Sequence, residues 1–268
     1  MTETPIWLTE FGDSPLVACA MHDGHAVRAD VAECLQLDDA QRRYEEDPYT
    51  GDWTSIADTR IIGRRSRFEL DLNRPRHQAV YMTPADAWGL DVWQCTPPAA
   101  MVNRSLRAYD EFYAHLHVLL KSLVALHGQV VVFDLHSYNH VREGVRGAAG
   151  EGEANPEINL GTGTMARSLW TPIVERWLGA MREYDYLGRR LDVRENVKFF
   201  GGQLARTVHE AFPYSVCVLA IEVKKFFMNE WTGELDSQSH QAVKDALAHA
   251  AVAVADELQK VKRGPTGA

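Results

Sequence analysis

The chain has 268 residues, of which 46% are hydrophobic and 24% charged, with a formal net charge of −9. One large α/β domain spanning residues 1–268 fits this length at least as well as two small ones, and a core of that size needs no disulfide or structural metal. The acidic balance argues against a nucleic-acid partner, since "GRRSR" is too short to outweigh it, and no apolar run approaches the roughly 20 residues that cross a bilayer. Cys19, Cys34, Cys95 and Cys217 are scattered with no C-x-x-C pair, so they are expected to be reduced, mostly buried thiols of a cytoplasmic protein. The N-terminus shows no basic segment followed by an apolar one, as a secretory signal would.

In chain order, "LVACAM" (Leu16 to Met21) reads as a buried strand feeding the loop "HDGH". "FELDL" (Phe68 to Leu72) alternates apolar and acidic residues as a half-buried strand does, and "NRPR" ends it. Apolar residues at helical spacing, from Leu106 through Phe112 and Leu116 to Leu123, predict a helix over Asn103 to His127. Gly128 then hands over to the strand "VVVFDL". The glycine- and charge-rich stretch from Val141 to Glu157 is predicted to be a long lid-like loop. A helix is expected from Thr164 to Glu183, a short strand in "NVKFFGG", and a long strand over Ser215 to Val223. A C-terminal helix with Ser237 at its cap completes the order. This alternation predicts a mostly parallel or mixed central sheet with helices on both faces, and sites in such sheets collect outside the carboxyl ends of strands.

Several polar groups fall at those ends. Asp134 and His136 in "FDLHS" share one side of a strand by period-two alternation, so the carboxylate is placed to orient the imidazole. A lone strand-end His is more often structural than a ligand, and His140 leaves the strand and is assigned substrate contact or no role. His22 and His25 lie on a glycine-containing loop that by itself reads as a polar turn. Glu45, Glu46, Asp47 and Asp52 offer hard oxygen ligands, although acidic runs are commonly solvated surface. Two histidines and one carboxylate from separated loops form an open zinc site with a fourth position for water. Arg67, Asn73 and Arg74 gather donors suited to a carboxylate, a surface salt bridge being the plainer alternative. Glu222 interrupts an apolar strand, where a Glu is rare unless paired or functional. The zincin H-E-x-x-H, the nucleophile elbow G-x-S-x-G and the phosphate-binding P-loop are all missing from the sequence.

Taken together in this order, "SRFELDLNRP", "FDLHS", "INLGT", "KFFGG" and "IEVKKFFMNEWTG" resemble the N-formylglutamate amidohydrolase family, related in fold to the zinc carboxypeptidases. The resemblance runs from about Val17 to Gly233. It implies Zn2+ held by His22, His136 and an acid matched best by Asp47, with Glu46 or His25 as rivals. It further implies Glu222 as general base and Asn73 and Arg74 as holders of a substrate carboxylate, with Arg206 near the pocket. The charge developing on the carbonyl oxygen needs a positive partner, and Arg67, preceding that pair, is the expected second donor beside the metal. The implied reaction is zinc-dependent hydrolysis of a linear amide of an N-acyl amino acid such as N-formylglutamate. A zinc peptidase acting on short peptides and an inactive binder of an acidic small molecule are the alternatives.

Overall fold

A computed structural model describes residues 4–141 and 152–263. Among these, the strands are β1 (Trp7–Glu10), β2 (Leu16–Ala20), β3 (Thr59–Gly63), β4 (Val130–Tyr138), β5 (Ile158–Gly161), β6 (Val193–Glu195) and β7 (Val216–Lys224). They form one seven-stranded sheet in the order β1-β3-β2-β4-β7-β5-β6. β3, β2, β4 and β7 run parallel, while β1 and β5 pair antiparallel with β3 and β7, so the sheet is mixed as expected. The helices are α1 (Ala29–Ala32), α2 (Asp39–Glu45), α3 (Thr50–Trp53), α4 (Ala99–His127), α5 (Thr171–Glu183), α6 (Gln203–Ala211) and α7 (Ser237–Arg263). No helix among the described residues is long and apolar enough to cross a membrane.

The central strands are β-branched runs because both of their faces are covered. On one face Val131, Phe133, Cys217, Leu219 and Ile221 pack with Ile173 and Trp177 of α5 and Val243 and Leu247 of α7. On the other, Val130, Val132, Val216 and Val218 meet Phe112, Leu116 and Leu120 of α4 and Leu204 and Val208 of α6. Alternation places Asp134 and His136 of β4, and Ala220 and Glu222 of β7, next along this second face towards the carboxyl ends. The apolar surface under α4 and α6 therefore gives way to ionisable groups where the strands end. α4 buries positions spaced three and four apart, including Ala108, Phe112, Leu116 and Leu120, and stops at Gly128, whose φ of 77° is open to glycine at little cost.

Five expectations are corrected. "FELDL" is no strand: Glu69 and Leu70 turn back to the Ser66 carbonyl. Its acids are buried rather than solvent-facing, Glu69 bound by Arg28 and Arg65 and Asp71 by Arg67. "NVKFFGG" follows β6 instead of forming a strand, because Asn159 Oδ1 accepts from the amides of Val197 and Lys198 in place of a ladder. α5 starts at Thr171, where Pro172 suits a first helical turn, rather than at Thr164. Asp236, not Ser237, caps α7, accepting from the amides of Gln238 and Ser239. Finally, Cys34 and Cys95 are joined in a disulfide, while Cys19 and Cys217 are free and buried. The scattered spacing gave no sign of that bond because α1 and the segment before α4 meet only in the fold, and the cysteines no longer support a reducing compartment. Of the lid-like segment, residues 142–151 lie outside the described residues.

His209 ties α6 to the sheet, its Nε2 accepting from the Val218 amide at 2.9 Å and its Nδ1 lying 2.9 Å from Thr164 Oγ1. Accepting at Nε2 requires a neutral ring, and burial pulls the pKa down to about 4. A depressed folded value means that the unfolded chain takes up the proton first as pH falls. The contribution of this group is thus complete above about pH 6.5 and is lost progressively towards pH 4, to the extent of about 3 kcal/mol. Urea denaturation at several pH values should show His209→Gln destabilising at pH 7, with the gap from wild type narrowing as the pH drops; a constant gap would show that the proton is not excluded.

Candidate active site

The site is assembled from strand ends and from two long connections, between β2 and β3 and between β3 and α4. His22 follows β2 and is buried; its Nε2 lies 2.8 Å from Asp71 Oδ1, which fixes the proton on that nitrogen and leaves Nδ1 with a lone pair. His136, on β4, does the same with Asp134: Nε2 stands 3.0 Å from Oδ1. Both Nδ1 atoms face one oxygen, Asp47 Oδ2, at 3.5 Å from His22 and 3.0 Å from His136. Asp47 arrives on the turn after α2, where its amide donates to the His22 carbonyl at 3.0 Å. Burial works against its charge, but the two histidines outweigh that and hold its carboxyl well below the usual range.

Ligand atoms of His22, Asp47 and His136 lie within 4.8 Å of one another. His22 Nδ1 is buried and has no hydrogen-bond partner. Buried polar atoms are seldom left so, and an orphaned imidazole lone pair beside a carboxylate oxygen fits a cation. Two imidazoles and one carboxylate match the donor set of an open zinc site. The rivals turn elsewhere. Glu46 Oε2 sits 2.6 Å from His25 Nδ1 and its other oxygen accepts from Ser66, so the two residues satisfy each other outside the triad.

Glu222 stands opposite His136 in register on β7. It opens partly to the cavity, yet burial pushes its carboxyl up to about 8, the Asp47 and Asp134 charges adding to this against the pull of His136. A cavity of about 380 Å3 is lined by all of these groups together with Arg67, Asn73, Arg74, Gly201 and Gly202, a size typical of small-molecule sites.

Arg67 is heavily engaged, with Asp71 Oδ2 at 2.8 Å, Tyr81 Oη at 3.1 Å and the Glu45 carbonyl at 3.0 Å. Asn73 ties its segment to α6, its Oδ1 accepting from the Leu204 amide at 3.1 Å. A Cβ on Gly202 would stand 2.2 Å from Asn73 Oδ1, so this approach needs glycine. Arg74 is looser, its Nε 3.9 Å from Asp71 Oδ2. Two expected substrate contacts fall outside the cavity. Arg206 is exposed on α6, whose buried face is Leu204, Ala205, Val208 and His209. His140 is drawn towards Glu230, its Nδ1 3.2 Å from Oε1, because the Glu230 carboxylate also caps the amides of His140 and Val141.

Asp71 and Lys225 were not singled out from sequence. Asp71 was legible in principle, since a ligating imidazole needs an acceptor at its second nitrogen and Asp134 already fills that role for His136. Lys225 is buried, and its ammonium donates to the carbonyls of Tyr44 and Glu46 at 2.7 Å each, clamping the turn that delivers Asp47. Burial draws its pKa down to about 8. Lys225→Met leaves the buried Glu46 carbonyl without its ammonium donor, while the Tyr44 carbonyl keeps its bond from Asn139 Nδ2 at 2.6 Å. If the triad holds a cation, the variant should bind it about 10–100-fold more weakly in a chelator competition. An unchanged affinity would release Lys225 from this role.

The sequence model of the N-formylglutamate amidohydrolase family matches residues 14–228. Comparison with curated proteins gave no match. Among solved structures, the N-formylglutamate amidohydrolase of Ralstonia eutropha JMP134 superposes with a TM-score of 0.73 at 19% identity, covering 97% of this chain and 100% of that one. A gene product of Agrobacterium tumefaciens superposes with a TM-score of 0.65 at 18% identity, covering 96% and 97% respectively. At these identities the structures speak for the fold, whereas the family match spans most of the sequence and includes every residue of the triad and Glu222. The chain belongs to the N-formylglutamate amidohydrolase family.

Proposed function

We propose that the protein is a zinc-dependent hydrolase that cleaves the linear amide of an N-acyl, N-formyl-like amino acid. The observation that carries this reading is the convergence of two imidazole Nδ1 atoms, one of them buried and unpartnered, on a single oxygen of Asp47, with Glu222 beside them in register. His22, Asp47 and His136 would hold the ion. When bound, zinc supplies Lewis acidity at the amide carbonyl and an acidified water.

The remaining chemistry belongs to side chains. Asp71 and Asp134 keep the two imidazoles in the tautomer that presents Nδ1. Glu222 is placed to take a proton from the attacking water and return it to the departing amine nitrogen, so no net proton is consumed in the transfer. Arg74 reaches the same cavity with its guanidinium weakly engaged and would anchor the substrate carboxylate, converting binding energy into orientation of the scissile bond. Arg67 holds Asp71 and the Glu45 carbonyl, and its cationic face completes the positive side of the cavity.

Metal analysis of the purified protein should find about one zinc per chain, with His136→Ala losing it. Glu222→Gln should retain the zinc while kcat on N-acyl amino acids falls by about 10²–10⁴-fold. A metal-free wild type after exposure to zinc, or full activity in Glu222→Gln, would defeat the reading.

A further inference from the structure

The amide chemistry leaves the substrate's side chain undefined, and the walls of the cavity bear on it. Its lining cations are Arg67, Arg74, Lys198 and Lys225 among the described residues. Arg67 is bound to Asp71, and Lys225 to two carbonyls. Lys198 donates to Asn155 Oδ1 at 2.6 Å and lies 4.5 Å from the centre of the Tyr138 ring. Lys198 is exposed as well, so Arg74 differs in how loosely it is held, its nearest carboxylate lying 3.9 Å away. The cavity therefore offers one loosely held cation, suited to one carboxylate. A second carboxylate on the substrate would meet the acids Glu45, Asp47, Asp134 and Glu222 on the same lining.

The other exposed material is aromatic. Trp88 and Phe200, from loops far apart in sequence, are 42% and 57% exposed, and both line the cavity with Phe199. The Trp88 ring is held edge-on to Tyr81 at 5.8 Å, with the Arg67 guanidinium 4.8 Å and that of Arg74 5.9 Å from its centre. A substrate whose carboxylate reaches Arg74 thus brings the side chain on the adjoining carbon against Trp88. Large apolar rings left exposed in the lining of a polar cavity suit a flat apolar group.

We propose that Trp88 and Phe200 form a side-chain subsite that selects N-acyl amino acids with an aromatic side chain, Trp88 being the specificity-determining residue. The scissile amide is taken from the hydrolase reading, but the subsite can be tested by binding alone. Zinc-loaded, full-length Glu222→Gln protein is titrated calorimetrically with N-formyl-L-phenylalanine, N-formyl-L-glutamate and N-formylglycine. The phenylalanine derivative should bind at least about tenfold more tightly than either of the others. In the same background, Trp88→Ala should cost the phenylalanine derivative about tenfold while moving the glycine derivative by less than about threefold, and Trp88→Phe should recover most of the loss. Phe200→Ala, at an exposed position, gives an independent variant should Trp88→Ala disturb Arg67. Wild-type protein titrated with free L-phenylalanine and L-glutamate gives the same comparison without the Glu222 change.

Tighter binding of the glutamate derivative, or equal losses for all three ligands in both ring variants, would overturn the subsite. Turnover by the wild type separates the two ideas. Aromatic preference in binding with no turnover of any N-acyl amino acid would sink the hydrolase reading and leave the subsite standing. Turnover with a glutamate preference would do the reverse.

Discussion

The structure depends on one oxygen. Asp47 Oδ2 is shared by two imidazoles, each of which is held from behind by its own buried carboxylate, Asp71 or Asp134. Three acids and two histidines gathered out of water would repel or remain undersolvated unless positive charge balanced them. Part of the balance is internal. Burial opposes a charge on His136, yet Asp134, Asp47 and Glu222 outweigh it and push its pKa up, so without a metal a proton is drawn into the cluster. A divalent cation compensates the same acids more fully, and the imidazoles then serve as neutral ligands.

The surrounding cations follow from that constraint. Arg67 meets Asp71 through a buried pair, and Lys225 closes on the carbonyls of Tyr44 and Glu46, just ahead of Asp47. Neither is an ornament of the surface. Replacing one partner of such a pair leaves the other buried and uncompensated, which costs far more than the pair contributes when intact. The sheet makes this arrangement affordable in space: one face is apolar over Val130, Val132, Val216 and Val218 and turns ionisable at Asp134, His136 and Glu222. Strand pairing there holds the backbone rigid while the side chains carry the charge.

The central sheet was legible in the sequence because strands covered on both faces must be continuous apolar runs, and "VVVFDLHS" and "SVCVLAIEV" are unmistakable as such. His22 and His136 stand where the sequence put them, just past or at strand ends, but by themselves they read as a polar turn and a structural imidazole, and only the family resemblance grouped them with Asp47. The excursion from Cys34 to Cys95 was not. Its alternation at Phe68 to Leu72 imitates a strand, but the acids there point inwards to Arg28, Arg65, Arg67 and His22, and period-two patterning cannot distinguish an acid facing water from one facing a buried cation. Arg206 and His140 do not line the cavity, since a match of motif position does not say which side of a short helix or turn a side chain takes.

That excursion also explains why a disulfide stands where the composition called for none. Asp47, Arg67, Asp71, Asn73 and Arg74 all lie between Cys34 and Cys95, a sequence separation of 61, and most of the segment has no place in the sheet. Trp53, Ala57, Ile61, Leu70, Leu72 and Ala79 anchor it to the main core, and its remaining apolar support is two small clusters, one of Leu37, Phe68, Tyr81, Ala87 and Val92 and another of Val31, Cys34 and Met101. The main core needs no covalent help, but a segment of this length that is largely irregular on either side of β3 bears a large entropy cost. Closing it removes alternatives chiefly from the unfolded chain, an effect that grows with loop length. The bond therefore acts where the chemistry is most demanding, on a segment that joins the sheet only through β3 and must bring Asp47 and Asp71 to strand ends from irregular stretches on either side of it.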